Sequence, residues 1–479
     1  MNTVWKGLIL GAAVFAAACD SNDNDTLQPP EPTPTFNLQV VHASSNAPAV
    51  NVLIDGTETL SAVDYKDASG EATLLVDSYD IQVDAILPDG STTPVIPAAN
   101  PPLNVTFEAD INYTVIALGN VGDTGDTALQ AKIVERPLTA VPAGNIRLTA
   151  VHGAAGAPAV DVYVTAPGAD LTTEVPLNET TPLAFNDDAL GPVEVPAGQY
   201  QVRITVAGDP AAVAFDSGPL DIGAGADLVA IAVDNTNAGA GTVPGAGIDI
   251  PVSVLLVDSN GAIDALDVQT TAEVRVTHAV PDAGLVDVYA NGALVAPLED
   301  FDFTQVRGPL ALPADDYAFQ VAPANSQNFV INAAGDAIAL AAGTFYDAAA
   351  VGSIADANLG LLTAADDRRR LATAAKLRVI HGSPSAGPVD LYVVDSTITD
   401  ISNVEPFAED IPFLFNSTYL ELAPGTYNVY ITPADSKTIV IPAEGLPLDA
   451  AGIYTAIARD PVASSTDFGL ILLDDFVSP

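Results

Sequence analysis

Four histidines are the residues of this sequence with the clearest capacity for acid–base chemistry or metal binding. Each one ends a short segment in which apolar and polar residues alternate, as in Val274-Arg-Val-Thr-His278. The four are His42, His152, His278 and His381. The chain has no other histidine, so their common setting indicates an internal repeat of roughly a hundred residues, the size of a small domain.

Two residues follow each histidine at a fixed spacing, an acid or amide and then a tyrosine or leucine. The first copy has Asn51 and Leu53, whereas the others have aspartate and tyrosine. The three complete pairs are Asp161 with Tyr163, Asp287 with Tyr289, and Asp390 with Tyr392. Because they alternate with aliphatic residues, they lie on the opposite face of the strand. They are either exposed or covered by a neighbouring loop or module. An edge-strand or inter-module packing role is favoured, and a surface pair with a binding role is the alternative.

The histidines themselves are predicted to be framework residues. Each shares a strand face with the aliphatic residues two and four positions earlier, so its ring points into the core and hydrogen-bonds the backbone of the following loop. A zinc site needs three or four ligands, and no repeat contains a second histidine or a cysteine.

A catalytic Ser–His–Asp set can be drawn from His381, Ser383 and Asp390. A triad normally forms one pocket, whereas this histidine recurs four times. We therefore predict no catalytic residue. The alternative is an envelope hydrolase with its site at a module interface.

One acidic segment has the composition of a cation-binding loop. Asp258, Asn260, Asp264 and Asp267 surround a glycine turn, and calcium prefers such oxygen ligands. The segment resembles a shortened calcium loop that lacks the twelve-residue spacing and the terminal glutamate. We interpret the segment as a plain acidic linker, and a calcium loop is the alternative. Calcium is the only cofactor that the sequence suggests.

The segments that position these residues have the pattern of short β-strands. Tyr200, Val202 and Ile204 alternate with polar residues, and glycine, proline and aspartate mark the turns. A tyrosine soon after a Pro/Gly turn resembles the tyrosine corner of β-sandwiches. The sequence predicts an all-β chain of four tandem antiparallel immunoglobulin-like β-sandwich domains. Their predicted bounds are 36–136 for module 1, 146–257 for module 2, 273–363 for module 3 and 376–475 for module 4.

The predicted joints between modules are 137–145, 258–273 and 364–375. The last contains Asp366-Asp-Arg-Arg-Arg370, which we interpret as a solvated linker with a local balance of charge. A protease-sensitive or partner-binding segment is the alternative.

The opening of the fourth copy resembles a family of exported bacterial proteins. Val379-Ile-His-Gly-Ser-Pro384 and Pro388-Val-Asp-Leu-Tyr392 are similar to the opening motif of the domain of unknown function 4397 family, which often occurs in tandem. The resemblance extends in four copies over nearly the whole mature chain, and the first copy departs from it at Asn51 and Leu53. It implies a surface β-domain without an established chemistry.

The N-terminus has the pattern of a lipoprotein signal. Lys6 precedes the apolar run 8–18, which is too short to span a bilayer, and three alanines lead to Cys19, the only cysteine. We predict a lipoprotein signal peptide at 1–18, followed by an acylated, acidic and Pro-rich tether at 19–35. An ordinary signal peptide beside a chance cysteine is the alternative.

The charge of the chain is strongly acidic. Its 15 basic and 61 acidic residues give a formal net charge of −46, which repels nucleic acid and anionic lipid headgroups.

We predict a non-catalytic cell-envelope protein with four rigid modules that extend outward for adhesion, matrix assembly or ligand capture. Its predicted partners are the lipid membrane, through Cys19, and an extracellular or periplasmic protein or polysaccharide. The outer membrane or cell surface is favoured over the inner membrane.

Overall fold

A computed structural model describes residues 33–98, 101–179, 181–236, 252–462 and 465–477. Over these residues the chain forms 34 strands and three short 3₁₀ helices, at Gly125–Thr127, Ala296–Leu298 and Pro384–Ala386. The all-β prediction is therefore confirmed. In the described part of the chain no helix has the length and hydropathy needed to cross a membrane. The predicted signal peptide, Cys19 and most of the predicted tether lie outside the described residues.

The strands fall into four groups of sheets, for which we keep the names modules 1 to 4. The independence of these modules as domains stays a prediction. Module 1 contains β1 Thr35–His42, β2 Val50–Ile54, β3 Thr57–Val63, β4 Ala72–Leu75, β5 Ser78–Ile86, β6 Thr92–Ile96, β7 Leu103–Thr106, β8 Ile111–Leu118 and β9 Gln130–Pro137. Module 2 contains β10 Asn145–His152, β11 Val160–Thr165, β12 Leu190–Pro196, β13 Gly198–Val206, β14 Val213–Ile222, β15 Asp227–Asp234, β16 Val252–Asp258 and β17 Gly261–Ala265.

Modules 3 and 4 repeat this plan. Module 3 contains β18 Ala272–Ala279, β19 Val286–Ala290, β20 Ala293–Leu294, β21 Val306–Leu312, β22 Asp315–Tyr317, β23 Phe319–Pro323, β24 Ile338–Leu340, β25 Phe345–Val351 and β26 Gly360–Asp366. Module 4 contains β27 Ala375–His381, β28 Val389–Asp395, β29 Ala408–Ile411, β30 Leu420–Leu422, β31 Gly425–Pro433, β32 Ile441–Leu448, β33 Ile453–Arg459 and β34 Gly469–Asp474.

Each module has one sheet that contains the histidine-bearing strand. The four strand orders are β4-β1-β8-β9, β12-β10-β15-β16-β17, β21-β18-β25-β26 and β30-β27-β33-β34. The histidine strand is antiparallel to one neighbour and parallel to the other in every module. This parallel pair is a departure from the purely antiparallel prediction. It requires a long crossover between its two strands, and the second sheet of the module lies in that crossover.

The core of each module lies between its two sheets. In module 3, Val274 and Val276 of β18 belong to one buried cluster with Val286 and Val288 of β19 and Phe319 of β23. Burial of such a side chain stabilises the fold by roughly 1.5–3 kcal/mol. The alternation of apolar residues along β18 and β19 therefore fixes which faces meet.

A tyrosine in the crossover between the two parallel strands closes a turn in every module. Its hydroxyl donates to the carbonyl oxygen four residues earlier, at 2.6–3.2 Å. The four bonds run from Tyr79 to Leu75, Tyr200 to Pro196, Tyr317 to Pro313 and Tyr427 to Ala423. A hydroxyl bond to the backbone a few residues upstream is the mark of a tyrosine corner, so this interpretation of the sequence is confirmed.

The modules pack in pairs through the outer faces of their histidine-bearing sheets. Val41 of module 1 shares a buried cluster with Ile231 and Leu255 of module 2. Val351 of module 3 likewise shares one with Ile380 of module 4. Apolar outer faces therefore hold modules 1 and 2, and modules 3 and 4, side by side. That the modules extend outward from the membrane stays a prediction.

The two pairs of modules contact each other through the segment that joins modules 3 and 4. Arg369 forms an ion pair with Asp64 of module 1 and donates to the carbonyl oxygen of Ala47 at 2.8 Å. The backbone N–H of Ala372 donates to the carbonyl oxygen of Asn46 at 2.8 Å. The interpretation of this segment as a solvated linker is wrong, because its side chains and backbone bind the neighbouring modules.

Candidate functional site

The four histidine rings occupy equivalent buried positions at the ends of β1, β10, β18 and β27. In each, Nε2 lies 2.8–3.1 Å from the carbonyl oxygen of the residue six positions later. The four pairs are His42 with Pro48, His152 with Pro158, His278 with Gly284 and His381 with Gly387. A carbonyl oxygen can only accept a hydrogen bond, so Nε2 carries a proton in all four rings.

The second ring nitrogen accepts a hydrogen bond in three of the four copies. Backbone N–H groups two residues after the histidine donate to Nδ1 at 3.3 Å, from Ser44, Val280 and Ser383. These rings are therefore neutral. Burial lowers the pKa of all four histidines, and that of His42 falls to about 4. The geometry is that of a framework residue, since the ring nitrogens of these three copies bind backbone groups.

An aromatic ring lies edge-on to each imidazole, which the sequence analysis missed. The centroid distances are 6.3–6.4 Å, and the aromatic residues are Tyr65, Phe185, Phe303 and Phe413. The residue after each of them has a positive φ and donates its N–H to the carbonyl oxygen of the histidine. The distance along the chain from histidine to aromatic residue varies between copies, so a search at fixed spacing does not find this contact.

The residues of the hypothetical Ser–His–Asp set do not come together. The Ser383 hydroxyl donates to the carboxylate of Asp460, whereas Nδ1 of His381 accepts the backbone N–H of Ser383. The carboxylate of Asp390 accepts the backbone N–H of Asp410 at 2.9 Å. The serine hydroxyl therefore has no contact with the base that would activate it.

The repeated aspartate holds two parts of its own module together. In module 3, Oδ1 of Asp287 accepts the N–H of Asp300 at 2.9 Å, and Oδ2 accepts the N–H of Asn325 at 2.7 Å. In module 2, the carboxylate of Asp161 accepts the N–H of Gly208 at 2.7 Å. Charge-assisted bonds of this kind are roughly twice as strong as neutral ones. The aspartate therefore fixes the turn that follows the strand paired with its own, which is β23 in module 3 and β13 in module 2.

The first copy shows why asparagine can replace this aspartate. Oδ1 of Asn51 accepts the N–H of Ala62 at 2.9 Å, the counterpart of the Asp287–Asp300 bond. Ala62 and Asp300 have φ values of 51° and 50°, which residues other than glycine adopt at a cost in free energy. In module 1 the side-chain bond offsets that cost in the edge strand β3, where the pairing with β2 shifts register.

The Asp/Tyr pairs are covered and not exposed, so the alternative of a surface pair is wrong. All six side chains are buried, with residue exposures of 1–8%. The Tyr289 hydroxyl donates to the carbonyl oxygen of Ser326 at 3.0 Å, and Lys437 donates to the Tyr392 hydroxyl at 3.0 Å. These contacts bring the following turns over the outer face of the second sheet. The six residues are Asp161, Tyr163, Asp287, Tyr289, Asp390 and Tyr392.

Asp258 and Asn260 bind each other, while Asp264 and Asp267 have partners elsewhere. Asp258 accepts the backbone N–H of Asn260 at 2.7 Å in the β16–β17 hairpin, and Asp264 forms an ion pair with Lys66 of module 1 at 2.6 Å. Asp267 is buried and accepts backbone N–H groups. Across the described ranges no group of three or more histidines, cysteines or acids could hold a metal. The alternative of a calcium loop is therefore not assembled from these residues in the described structure.

A buried network of charges lies where modules 3 and 4 meet, and the sequence analysis missed it. Arg275 forms an ion pair with Asp347 at 2.6 Å and another with Asp474 of module 4. Arg378 of module 4 forms an ion pair with Asp347 in return. Arg275 and Arg378 occupy the strand face opposite the core, which the alternating pattern alone assigns to solvent. The facing sheet buries them instead.

These features define a multi-module all-β protein in which the repeated polar residues lie inside the modules. The chain belongs to the family described as Domain of unknown function (DUF4397), whose sequence profile matches residues 36–163 and 272–392. Each match begins near one histidine-bearing strand and ends at the tyrosine of the next copy, so two regions match rather than the four that the sequence predicts. Among curated proteins no match was found.

Several solved structures are distantly similar. The Bacillus anthracis TIE protein is 11% identical with a TM-score of 0.14, over 89% of this chain and 68% of its own. The multi-modular glycogen-degrading pneumococcal virulence factor SpuA is 9% identical with a TM-score of 0.15, over 86% and 38% of the two chains. A candidate adhesin of Bacteroides ovatus is 10% identical with a TM-score of 0.12, over 50% and 97%. Similarity at this level does not inform the function of this chain.

Proposed function

We propose that this chain is a non-catalytic cell-envelope lipoprotein whose modules bind an extracellular or periplasmic protein or polysaccharide, in adhesion or matrix assembly. The observation that carries the proposal is the position of the repeated polar residues. Nε2 of each histidine and the carboxylate of each repeated aspartate bind polar groups of their own module. These residues serve the fold, and binding falls to the surfaces that the modules display.

The repetition of one module supports a binding role. Four copies on one chain multiply weak contacts with a repetitive or multivalent partner through effective concentration. The side-by-side pairs hold the modules in fixed relative positions through buried apolar clusters. A rigid array loses less conformational entropy on binding than a flexible one.

Membrane attachment through an acylated Cys19 belongs to the proposal. Several acyl chains, at about 0.8 kcal/mol per buried methylene, hold a protein stably at a bilayer. The acidic modules are repelled by anionic headgroups, so the chain faces away from the membrane. We place it at the outer membrane or the cell surface.

A binding experiment tests the proposal with residues 20–479, the mature chain without its acylated cysteine. The chain is offered to whole cells, purified polysaccharides and matrix proteins, with calcium and with a chelator, beside a control protein of equal charge density. We expect saturable binding above that of the control for at least one of these partners. Binding equal to the control throughout would remove the adhesion and capture roles.

A screen of the same preparation with ester and glycoside substrates tests the enzymatic alternative. We expect no turnover above a heat-treated sample. Turnover that a substitution in one module abolishes, while the same substitution in the other three does not, would establish catalysis in place of a binding role.

A further inference from the structure

A groove lies at one edge of module 2, whose two sheets differ in width. The histidine-bearing sheet of this module has five strands, whereas the second sheet has three, β11, β13 and β14. Leu228, Leu256 and Ile263 line the groove from the wider sheet, and Leu220 and Ile222 line it from β14. Its volume is about 500 Å³, which is within the usual range of ligand pockets. Apolar side chains of both sheets therefore meet solvent at this edge.

Leu228 differs from its counterparts in the other three modules. At this position the parallel register places Tyr113, Tyr346 and Tyr454. Each tyrosine hydroxyl accepts the backbone N–H of the residue five positions earlier, at 2.9–3.0 Å. Leucine has neither the ring nor the hydroxyl, so Leu228 cannot make this bond in module 2.

The turn that supplies the N–H is nevertheless present in module 2. Three residues before the tyrosine or leucine, the backbone φ is positive in every module, at 59–89°. The four residues are Asp110, Gly225, Gly343 and Ala451. Gly223 stands five residues before Leu228 and lines the groove, and a β-carbon added to it would meet no atom within 4 Å. The N–H of Gly223 therefore borders open space at the point where the other modules have a tyrosine hydroxyl.

The groove is complementary to a phenol ring. The face of the ring can rest on Leu228 and Leu256, and its hydroxyl can accept the N–H of Gly223, as the tyrosines of the other modules do internally. A tyrosine that packs its ring on apolar side chains and finds one hydrogen-bond partner is a frequent anchor of protein interfaces.

The charges around the groove favour a basic protein segment as the source of the ring. Asp221 and Asp258 line the groove, and none of its described lining residues is basic. A second copy of this chain would bring a net charge of −46 to a surface of the same sign, which opposes association. A tyrosine flanked by lysine or arginine is attracted to the exposed Asp221 and to the field of the whole protein.

We propose that the groove of module 2 binds a tyrosine side chain of a partner protein, presented between basic residues. The ring lies on Leu228 and Leu256, its hydroxyl accepts the N–H of Gly223, and a neighbouring lysine or arginine faces Asp221. This deepens the binding role proposed above and rests on it.

Three peptides, one small phenol and three variants of the mature chain test the proposal. The first pentapeptide has a tyrosine between two lysines and a glycine at each end. The second has phenylalanine in place of the tyrosine, and the third has glutamate in place of both lysines. The small phenol is 4-methylphenol. Affinity is measured by isothermal titration calorimetry at moderate salt, which needs no aromatic label.

The variants alter the groove or a matched position outside it. Leu228→Tyr supplies the ring from inside the module, and Asp221→Asn removes the charge at the rim. Val175→Tyr adds a tyrosine at an exposed position of module 2 that does not line the groove. Circular dichroism checks the fold and the thermal unfolding of each variant.

We expect the lysine–tyrosine peptide to bind saturably. The phenylalanine peptide should bind about fivefold more weakly, because it lacks the hydroxyl, and the glutamate peptide at least tenfold more weakly. Leu228→Tyr should weaken the lysine–tyrosine peptide at least tenfold and raise the midpoint of thermal unfolding, because its ring fills the groove. Asp221→Asn should weaken the peptide about threefold, and Val175→Tyr should leave it within twofold.

Equal affinity of the wild type and Leu228→Tyr would overturn the proposal, since attraction by overall charge alone is unchanged in this variant. Equal affinity of the tyrosine and phenylalanine peptides would overturn the assignment of a phenol. If 4-methylphenol binds as tightly as the peptide, the occupant is a small molecule and the partner protein is ruled out. Self-association that Leu228→Tyr abolishes would rule it out as well, because it would name a second copy of this chain.

The two proposals can fail separately. If the peptide result is negative but the mature chain and its Leu228→Tyr variant bind cells or polysaccharide equally well, only the groove proposal falls. If neither peptide nor cells bind above the acidic control, the general binding role falls too.

Discussion

Arg275 of module 3 and Asp474 of module 4 form a direct ion pair, although 199 residues separate them in the sequence. Burial alone would raise the pKa of Asp474, but the guanidinium groups of Arg275 and Arg368 lower it. The two modules are therefore joined by charge as well as by the apolar cluster around Ile380. Removing one partner of such a network costs more than the net contribution of the pair, because it leaves a buried charge uncompensated.

The Asp347→Ala variant tests this interface. Asp347 forms ion pairs with both Arg275 and Arg378, so its loss leaves two buried guanidinium groups short of a carboxylate. We expect the free energy of unfolding of modules 3 and 4 to fall by about 3–5 kcal/mol. Calorimetry of the mature chain should show one transition moved to lower temperature. Glu174→Gln, at an exposed acid in module 2, should leave the profile unchanged. An equally small effect of both variants would mean that the network adds nothing to the interface.

The lowered pKa of the histidines predicts a loss of stability in mild acid. His42 titrates near pH 6.5 in the unfolded chain and near 4 in the fold, so the unfolded state binds the proton first as the pH falls. Its contribution is complete above about pH 6.5 and declines between there and pH 4, by about 3 kcal/mol in total. Denaturant titrations at several pH values measure it. In His42→Gln the slope over this window should be smaller than in the wild type, and an unchanged slope would contradict the assignment.

Substitution of Asp287 tests the role of the repeated aspartate. Asp287→Ala removes the acceptor for two backbone N–H groups, those of Asp300 and Asn325, and should destabilise module 3 by about 2–4 kcal/mol. Asp287→Asn should cost less, because Asn51 makes the equivalent bond in module 1. Hydrogen exchange at Asp300 and Asn325 gives the local readout. Faster exchange in the asparagine variant than in the alanine variant would be the opposite of this prediction.

The predicted anchor is tested by Cys19→Ala. The wild-type chain, expressed with its N-terminus intact, should incorporate labelled palmitate and sediment with membranes. The variant should do neither, because acylation is the only membrane contact that we propose. Lys6→Arg keeps the charge of the signal and should behave as the wild type. Membrane association of the unlabelled Cys19→Ala protein would show that another segment holds it there.

The fold was largely predictable from the sequence because period-two alternation is a local property. The segment that ends at His278 alternates over five residues, and β18 forms there. The parallel pairing of β18 with β25 was not predictable, because it depends on a partner strand some seventy residues away. The pairing of modules was missed for a related reason: Arg275 looks exposed in an alternating pattern, and only the facing sheet reveals that it is buried.

The candidate site was predictable in part. The histidine positions followed from the local sequence motif that they share, and the bonds from Nε2 to the next loop agree with the expected orientation. The Asp/Tyr pairs were placed on the correct strand face, but loops whose length differs between copies cover that face.

Nitrogen NMR of the four histidine side chains in the mature chain tests the central claim most directly. The signals are assigned by single histidine-to-glutamine variants. The account predicts that all four rings are neutral at pH 7 and carry their single proton on Nε2. They should stay neutral on acidification past the ordinary histidine pKa of about 6.5. A ring that carries its proton on Nδ1, or titrates near pH 7, would contradict the claim that these histidines are buried framework residues in four equivalent positions.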